Sequence, residues 1–415
     1  MLSEFYLKKR SETDMMNKNQ INTWRIMAFV CTLIMTIGLT GCSGKAGKSY
    51  DMGMDYYEEG QYTEAAESFV AAIEANPDKA EYYIAYGMTL IELGQYEDAR
   101  KQFGLVVRDM DNRIVRENNK RAYRGMAIAF FNEGNFEQAK GYFEIALKTE
   151  ELEELNEDLT SYMANCEMKL TNYKSALEYW NKLLEDGDDS ADVMSEYYLG
   201  RGETQYAMDN ITGAIEDFRL AVKENENNYQ AYIGLYLTLK ESQDESGSLE
   251  VLDTALSEIG DDKENVFYRA IFNYYKGDLD VANKEFSKAL KSGNNNALYY
   301  LGKICQDKGD FEGAIEKYNE YTEQNPAGKN AEYCNQMGGC LLELQRYEEA
   351  ITWLDKGVAM AAGKIRQQLL FNRVVAYEHI GDYNTAKELA SAYLDIYTDE
   401  NMSKEYEYIK TRTEN

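Results

Sequence analysis

Along most of the chain, small and large apolar residues return at helical spacing, broken by short turns. The first such stretch runs from Gly53 to Pro77, reading Gly53-x-x-Tyr56, Gly60-Gln61-Tyr62, then Ala65, Phe69, Ala72-Ile73 and Pro77. Apolar positions three and four apart give each of two short helices one apolar face. The glycine-centred turn between them predicts a helical hairpin, with Gly and Ala where the two helices approach closely.

The turn comes back at Gly94-Gln95-Tyr96, Gly134-Asn135-Phe136, Thr171-Asn172-Tyr173 and Asp209-Asn210-Ile211. After a degenerate Gln243 it continues at Gly277-Asp278-Leu279, Gly309-Asp310-Phe311, Gln345-Arg346-Tyr347 and Gly381-Asp382-Tyr383. Three residues beyond stands Ala65, Ala99, Ala139, Ala176, Ala214, Ala282, Ala314, Ala350 or Ala386, with Ser248 in the sixth unit. Four further on is a large apolar residue: Phe69, Phe103, Phe143, Trp180, Phe218, Leu252, Phe286, Tyr318 or Leu354, with Ala390 as the exception. The first helix of several units carries a matching glycine: Gly53, Gly87, Gly202, Gly302 and Gly338.

This pattern resembles the tetratricopeptide repeat (TPR). Successive turns lie 34, 40, 37, 38, 34, 34, 32, 36 and 36 residues apart, near the 34-residue period of that family. The resemblance implies an all-α, right-handed superhelical solenoid of about ten TPR hairpins over residues 50–400. Each hairpin would bury its core against its neighbours. Residues 401–415, with Met402, Tyr406 and Ile409 on one face, suit a capping helix or tail. Pro77 and Pro326 stand where helices are expected to end. The longer spacings place extra residues at 109–119, 149–156 and 185–194, either as decoration of one edge or as lengthened helices and turns.

The N-terminus differs. Lys8, Lys9, Arg10, Lys18 and Arg25 precede an apolar run from Ile26 to Ile37, too short for a comfortable membrane span. Leu39-Thr40-Gly41-Cys42 follows and resembles the bacterial lipobox. The resemblance implies a lipoprotein signal peptide at 1–41, cleavage before Cys42, lipidation of its thiol, and attachment to the extracytoplasmic face of a cell membrane. Residues 42–49 read as a short tether, and Met15 or Met16 are alternative starts. Gly47-Lys48-Ser49 ends like a phosphate-binding loop, but Cys42 occupies the place of its first glycine and no strand precedes it.

Composition narrows the chemistry. A formal charge of −29 over 415 residues argues against nucleic acid as a partner, because phosphate binding needs a basic face. His379 is the only histidine, so imidazole-based catalysis and metal binding have almost no raw material. Cys166, Cys305, Cys334 and Cys340 show no CxxC spacing. Residues 186–190 (Asp-Gly-Asp-Asp-Ser) begin like a calcium loop, but Ala191 and Tyr197 fall where Gly and Glu are needed. A non-enzyme without a cofactor is expected.

In the TPR family the first helices line a concave groove. The resemblance places Met54, Tyr57, Met88, Ile91, Arg121, Arg124, Ile128, Phe131, Tyr206, Phe267, Tyr274 and Tyr299 on it. Such a wall would bind a protein or peptide segment, although the same residues could equally serve packing between repeats. The family's carboxylate clamp is not expected, since Asn165 has Ser161 where Lys is required. Arg113, Arg116, Lys120, Arg121 and Arg124 form a basic cluster that could receive an acidic segment or an anionic glycan, or simply balance local acid. Glu150-Glu151-Leu152-Glu153-Glu154 reads as a solvated helix face. The expected function is a membrane-anchored scaffold that grips protein partners, with a glycan- or peptide-binding lipoprotein for uptake or envelope assembly as the alternative.

Overall fold

The computed structural model describes residues 44–186, 190–260, 265–325, 328–361 and 363–413. The segment expected to be a signal peptide, Cys42, Pro326 and the centre of the acidic 186–190 loop lie outside them. Among the described residues the chain is entirely helical and contains no strand. It divides into two compact units that meet in sequence at residues 225 and 226.

The first unit holds five hairpins: α1 (Lys45–Glu58) with α2 (Tyr62–Ala75), α3 (Ala80–Glu92) with α4 (Tyr96–Val106), α5 (Arg113–Glu133) with α6 (Phe136–Leu147), α7 (Asn156–Lys169) with α8 (Tyr173–Asp186), and α9 (Ala191–Ala207) with α10 (Ile211–Glu224). The second holds five more: α11 (Tyr229–Glu241) with α12 (Glu245–Glu258), α13 (Val266–Lys276) with α14 (Leu279–Lys291), α15 (Ala297–Asp307) with α16 (Phe311–Gln324), α17 (Ala331–Glu343) with α18 (Tyr347–Met360), and α19 (Gly363–His379) with α20 (Tyr383–Leu394). A last helix, α21 (Glu400–Thr413), packs on α20 and buries Met402 and Ile409. The odd-numbered helices α1–α19 are the A helices of the hairpins, and their even-numbered partners are the B helices.

All ten turns have the same backbone. The central residue has positive φ at Gly60, Gly94, Gly134, Gly277, Gly309 and Gly381, and also at Thr171, Asp209, Gln243 and Gln345. The degenerate sixth unit therefore keeps the turn despite losing its glycine. The next residue caps the B helix where its chemistry allows. Asn135, Asn210, Asp244, Asp310 and Asp382 each accept a hydrogen bond from the amide three residues on.

The small-large pattern is the hairpin core. Every alanine of the repeat, and Ser248 in its place, is buried, and so is the large residue four positions later. A Cβ added to Gly53, Gly87, Gly302 or Gly338 would meet Phe69, Phe103, Tyr318 or Leu354 at 2.6–2.7 Å. The position sixteen before the large residue thus sets the gap into which its side chain fits. The two departures compensate in size. Tyr236 stands in that place opposite the smaller Leu252, and Val374 stands opposite Ala390, all four buried.

Two expectations change and one open alternative is decided. Helix α1 begins at Lys45, so most of the stretch read as a tether is helical. Ala46 and Tyr50, one turn apart, pack on the core, with the Tyr50 ring 5.7 Å from Phe69 and 5.0 Å from Tyr82. Gly47-Lys48-Ser49 accordingly sits within a helix. Among the insertions, the first and third mainly lengthen A helices, giving α5 21 residues and α9 17. Glu150–Glu154 is not a helix face: Leu152 takes positive φ and Glu153–Leu155 form a single 3₁₀ turn.

Candidate partner-binding face

A helices of distant hairpins approach one another, so each row of A helices curves inward. In the first unit, Tyr57 of α1 lies within electrostatic range of Arg124 on α5 and Tyr162 on α7. In the second, Lys364 on α19 pairs with Glu241 on α11, four hairpins earlier.

This curvature decides which of the expected groove residues can touch a partner. Met54, Tyr57, Met88, Ile91, Arg124, Ile128, Phe267 and Tyr299 are buried, with exposures between 1% and 7%. They are core rather than free surface, because neighbouring A helices press on the same stripe that would line the groove. Phe267, for example, meets Phe286 of its own hairpin and Tyr300 of the next at 5.8 and 5.7 Å between ring centres. Arg121, Phe131, Tyr206 and Tyr274 remain half-buried. Phe131 leans edge-on against Tyr162 at 5.6 Å, and the Tyr274 hydroxyl hydrogen-bonds Asp307 at 2.6 Å. Asn165 donates to the Ser161 carbonyl of its own helix at 2.9 Å.

The basic cluster is mostly consumed within the fold. Asn119 first fixes the loop ahead of α5, accepting from the Arg108 amide and donating to its carbonyl. Arg113 pairs with Glu117 on the same helix. Arg116 reaches Asp111 and Glu151. Lys120 is fully buried, and its ammonium donates to the carbonyls of Thr149 and Glu151 and to Asn156 Oδ1 at 2.7–2.9 Å. Burial pulls its pKa down, against the pull of Glu154, Glu151 and Glu153. Burial also opposes the charge on Arg124, but Asp158 at 2.6 Å more than offsets it and the guanidinium stays charged. The long spacings of hairpins three and four are therefore one device: α5 supplies cations and the 149–156 loop supplies acceptors. Arg113, Arg116 and Arg124 are ion-paired and Lys120 is held by neutral oxygens, whereas no such partner of Arg121 is seen among the described residues.

The sequence pattern did not mark Lys303. It occupies the A-helix position after Gly302 and is 1% exposed, with its ammonium 5.1–5.9 Å from the ring centres of Tyr274, Tyr275, Tyr299 and Tyr300. Four aromatic faces around one cation make the middle of the second unit's inner face a tyrosine cage. His379 is exposed and stacks flat on Tyr347 at 4.7 Å. The four described cysteines are free thiols, and Cys334 and Cys340 do not bond to each other. Among the described residues no cluster of three or more His, Cys, Asp or Glu could hold a metal ion, and no helix is long and apolar enough to cross a membrane.

The relationships to known proteins agree with this architecture. Residues 50–112 match the tetratricopeptide repeat family model. Residues 274–357 match the model for anaphase-promoting complex, cyclosome, subunit 3. A BBSome complex member BBS4 homolog of Drosophila melanogaster is 24% identical over 325 residues, covering 74% of this chain and 63% of that protein. TPR repeat-containing protein MJ1428 of Methanocaldococcus jannaschii is 24% identical over 203 residues, covering 46% of this chain and 34% of that protein. The chain thus spans less than two thirds of either curated relative. A solved tetratricopeptide repeat protein from Parabacteroides merdae is 16% identical, with a TM-score of 0.42, covering 61% of this chain and 98% of that one. The chain carries tetratricopeptide repeats in an all-α fold.

Proposed function

We propose that this protein is a scaffold that holds partner proteins on its repeat array and is fixed to the extracytoplasmic face of a membrane through lipid on Cys42. The observation that carries the scaffold reading is the regular succession of TPR hairpins with aromatic residues on their A helices. Proteins with such repeats bind protein or peptide partners. The anchor rests on the sequence alone: a basic segment, an apolar run and Leu39-Thr40-Gly41-Cys42. Two acyl chains bury methylene groups at ~0.8 kcal/mol each, enough for stable attachment. Of the expected groove residues, half-buried Arg121, Phe131, Tyr206 and Tyr274 are those left open enough for a partner to meet.

The test is to express the full chain and a Cys42→Ser variant with a labelled fatty acid, then follow the protein and anything it binds between membrane and soluble fractions. Label on the parent chain, with both protein and partner released from the membrane by Cys42→Ser, supports the reading. An unlabelled parent chain, or a variant that stays on the membrane, overturns the anchor.

A further inference from the structure

The ion pair between Lys364 and Glu241 joins residues 123 apart in sequence, linking the first turn of α19 to the last turn of α11. The A helices that lie between these two in sequence carry enclosed polar side chains. Lys303 sits in its tyrosine cage, and Glu332 and Gln336 of α17 are 2% exposed. A partner that is to pass beyond half-buried Tyr274 into these enclosed positions must displace side chains that now fill them. The bridge itself is only half-buried, with the Lys364 and Glu241 side chains 37% and 21% exposed. Such pairs are weak enough for a competing charge to replace one member. Glu241 is also incompletely satisfied: Oε1 takes the lysine, while Oε2 is buried and accepts no hydrogen bond. A buried carboxylate oxygen without a donor is costly, and it marks where a second cation would be welcome. The strongly acidic chain around it favours a cationic visitor.

We propose that the Lys364–Glu241 pair is a latch that holds the inner face of the second unit closed, and that a Lys- or Arg-bearing segment of the partner opens it by taking Glu241 from Lys364. The proposal rests on the scaffold reading above and adds both its regulation and the charge of the segment it takes. Lys240, the nearest other cation in sequence, is already engaged by Glu245 on the following helix. It does not substitute for Lys364.

The experiment places two click-reactive, spin-labelled residues at exposed Ser246 and Met360 of the full chain. It then reads their distance by pulsed electron paramagnetic resonance. The closed latch gives one short, narrow distribution. Lys364→Ala shifts it to longer, broader distances, and the exchange Glu241→Lys with Lys364→Glu restores the short one, which separates latch loss from misfolding. A synthetic Lys-Gly repeat peptide shifts the parent chain as Lys364→Ala does, while a Glu-Gly peptide at the same ionic strength does not. An unchanged distribution in Lys364→Ala refutes the latch. An open Lys364→Ala with no response to the lysine peptide refutes the cationic opener. The readout needs no natural partner, so it fails or succeeds independently of the scaffold reading.

Discussion

Replacing Gly125 by alanine tests the packing argument at its tightest point. Phe103 of α4 is fully buried, with its ring between Gly87 of its own hairpin and Gly125 of the next. A Cβ on Gly125 would come 2.7 Å from Cε2 of that ring, and closer still to Cζ and Cε1. The ring has little room to retreat, since it also lies so close to the Gly87 backbone that a Cβ there would meet it at 2.7 Å. Forcing a methyl into a filled core costs about 1–3 kcal/mol, and a ring confined on both faces belongs in the upper half of that range. Alanine returns up to about 1 kcal/mol of helix propensity, leaving a net loss of about 1–2 kcal/mol. Gly104 is the internal control, because its added Cβ meets only the Met126 methyl at 3.8 Å. Gly104→Ala should therefore gain up to about 1 kcal/mol. Urea unfolding followed by circular dichroism reads both as midpoint shifts at constant slope. Phe103→Leu placed on Gly125→Ala should recover part of the loss. If Gly125→Ala is as stable as Gly104→Ala, the close fit of repeat two against repeat three is wrong.

Other consequences are equally direct. Thr171 holds the turn between α7 and α8 at a φ of 64°, where a β-branched residue is strained, so Thr171→Gly should raise the urea midpoint by about 1 kcal/mol equivalent. Lys120→Ala strips three acceptors of a buried ammonium and should cost about 3–5 kcal/mol, seen as early proteolysis within 149–156. Burial, together with a hydrogen bond to Glu405 of the cap helix and its charge, raises Glu378 to about 7, while Arg412 pulls it down. A carboxyl raised in the folded state binds its proton more tightly there. Its contribution to cap docking is therefore full below the ordinary carboxyl range and is lost as pH rises through about 7. Hydrogen exchange in α21 should accelerate between pH 6 and 8, and Glu405→Gln should flatten that dependence.

The fold could be read residue by residue because each hairpin repeats the same two constraints. A positive-φ turn and an Ala-plus-large pair recur in register from hairpin to hairpin, and even Gln243 and Ser248 kept their places. Size exchange was harder to see. Val374 opposite Ala390 looks like a departure until both positions are placed in one gap. The site was the least legible part. Apolar A-helix residues are alike in sequence whether they face a groove or a neighbouring helix, and only the curvature of each unit shows that Met54 or Tyr299 is enclosed. Arg113–Lys120 resembled a ligand site because its acceptors, the carbonyls of Thr149 and Glu151, are backbone groups some thirty residues away and leave no mark in side-chain identity. The cage around Lys303 draws on two A helices and was invisible for the same reason.

Site-specific photo-crosslinking in cells tests the central claim most directly. A photoreactive residue goes in turn at half-buried Phe131 and Tyr274 on A helices, and at exposed Ile145 and Leu249 on B helices. A scaffold that holds its partner on the A-helix face predicts one shared adduct from Phe131 or Tyr274 and none from Ile145 or Leu249. Capture from the B-helix positions equal to that from the A-helix positions would contradict it.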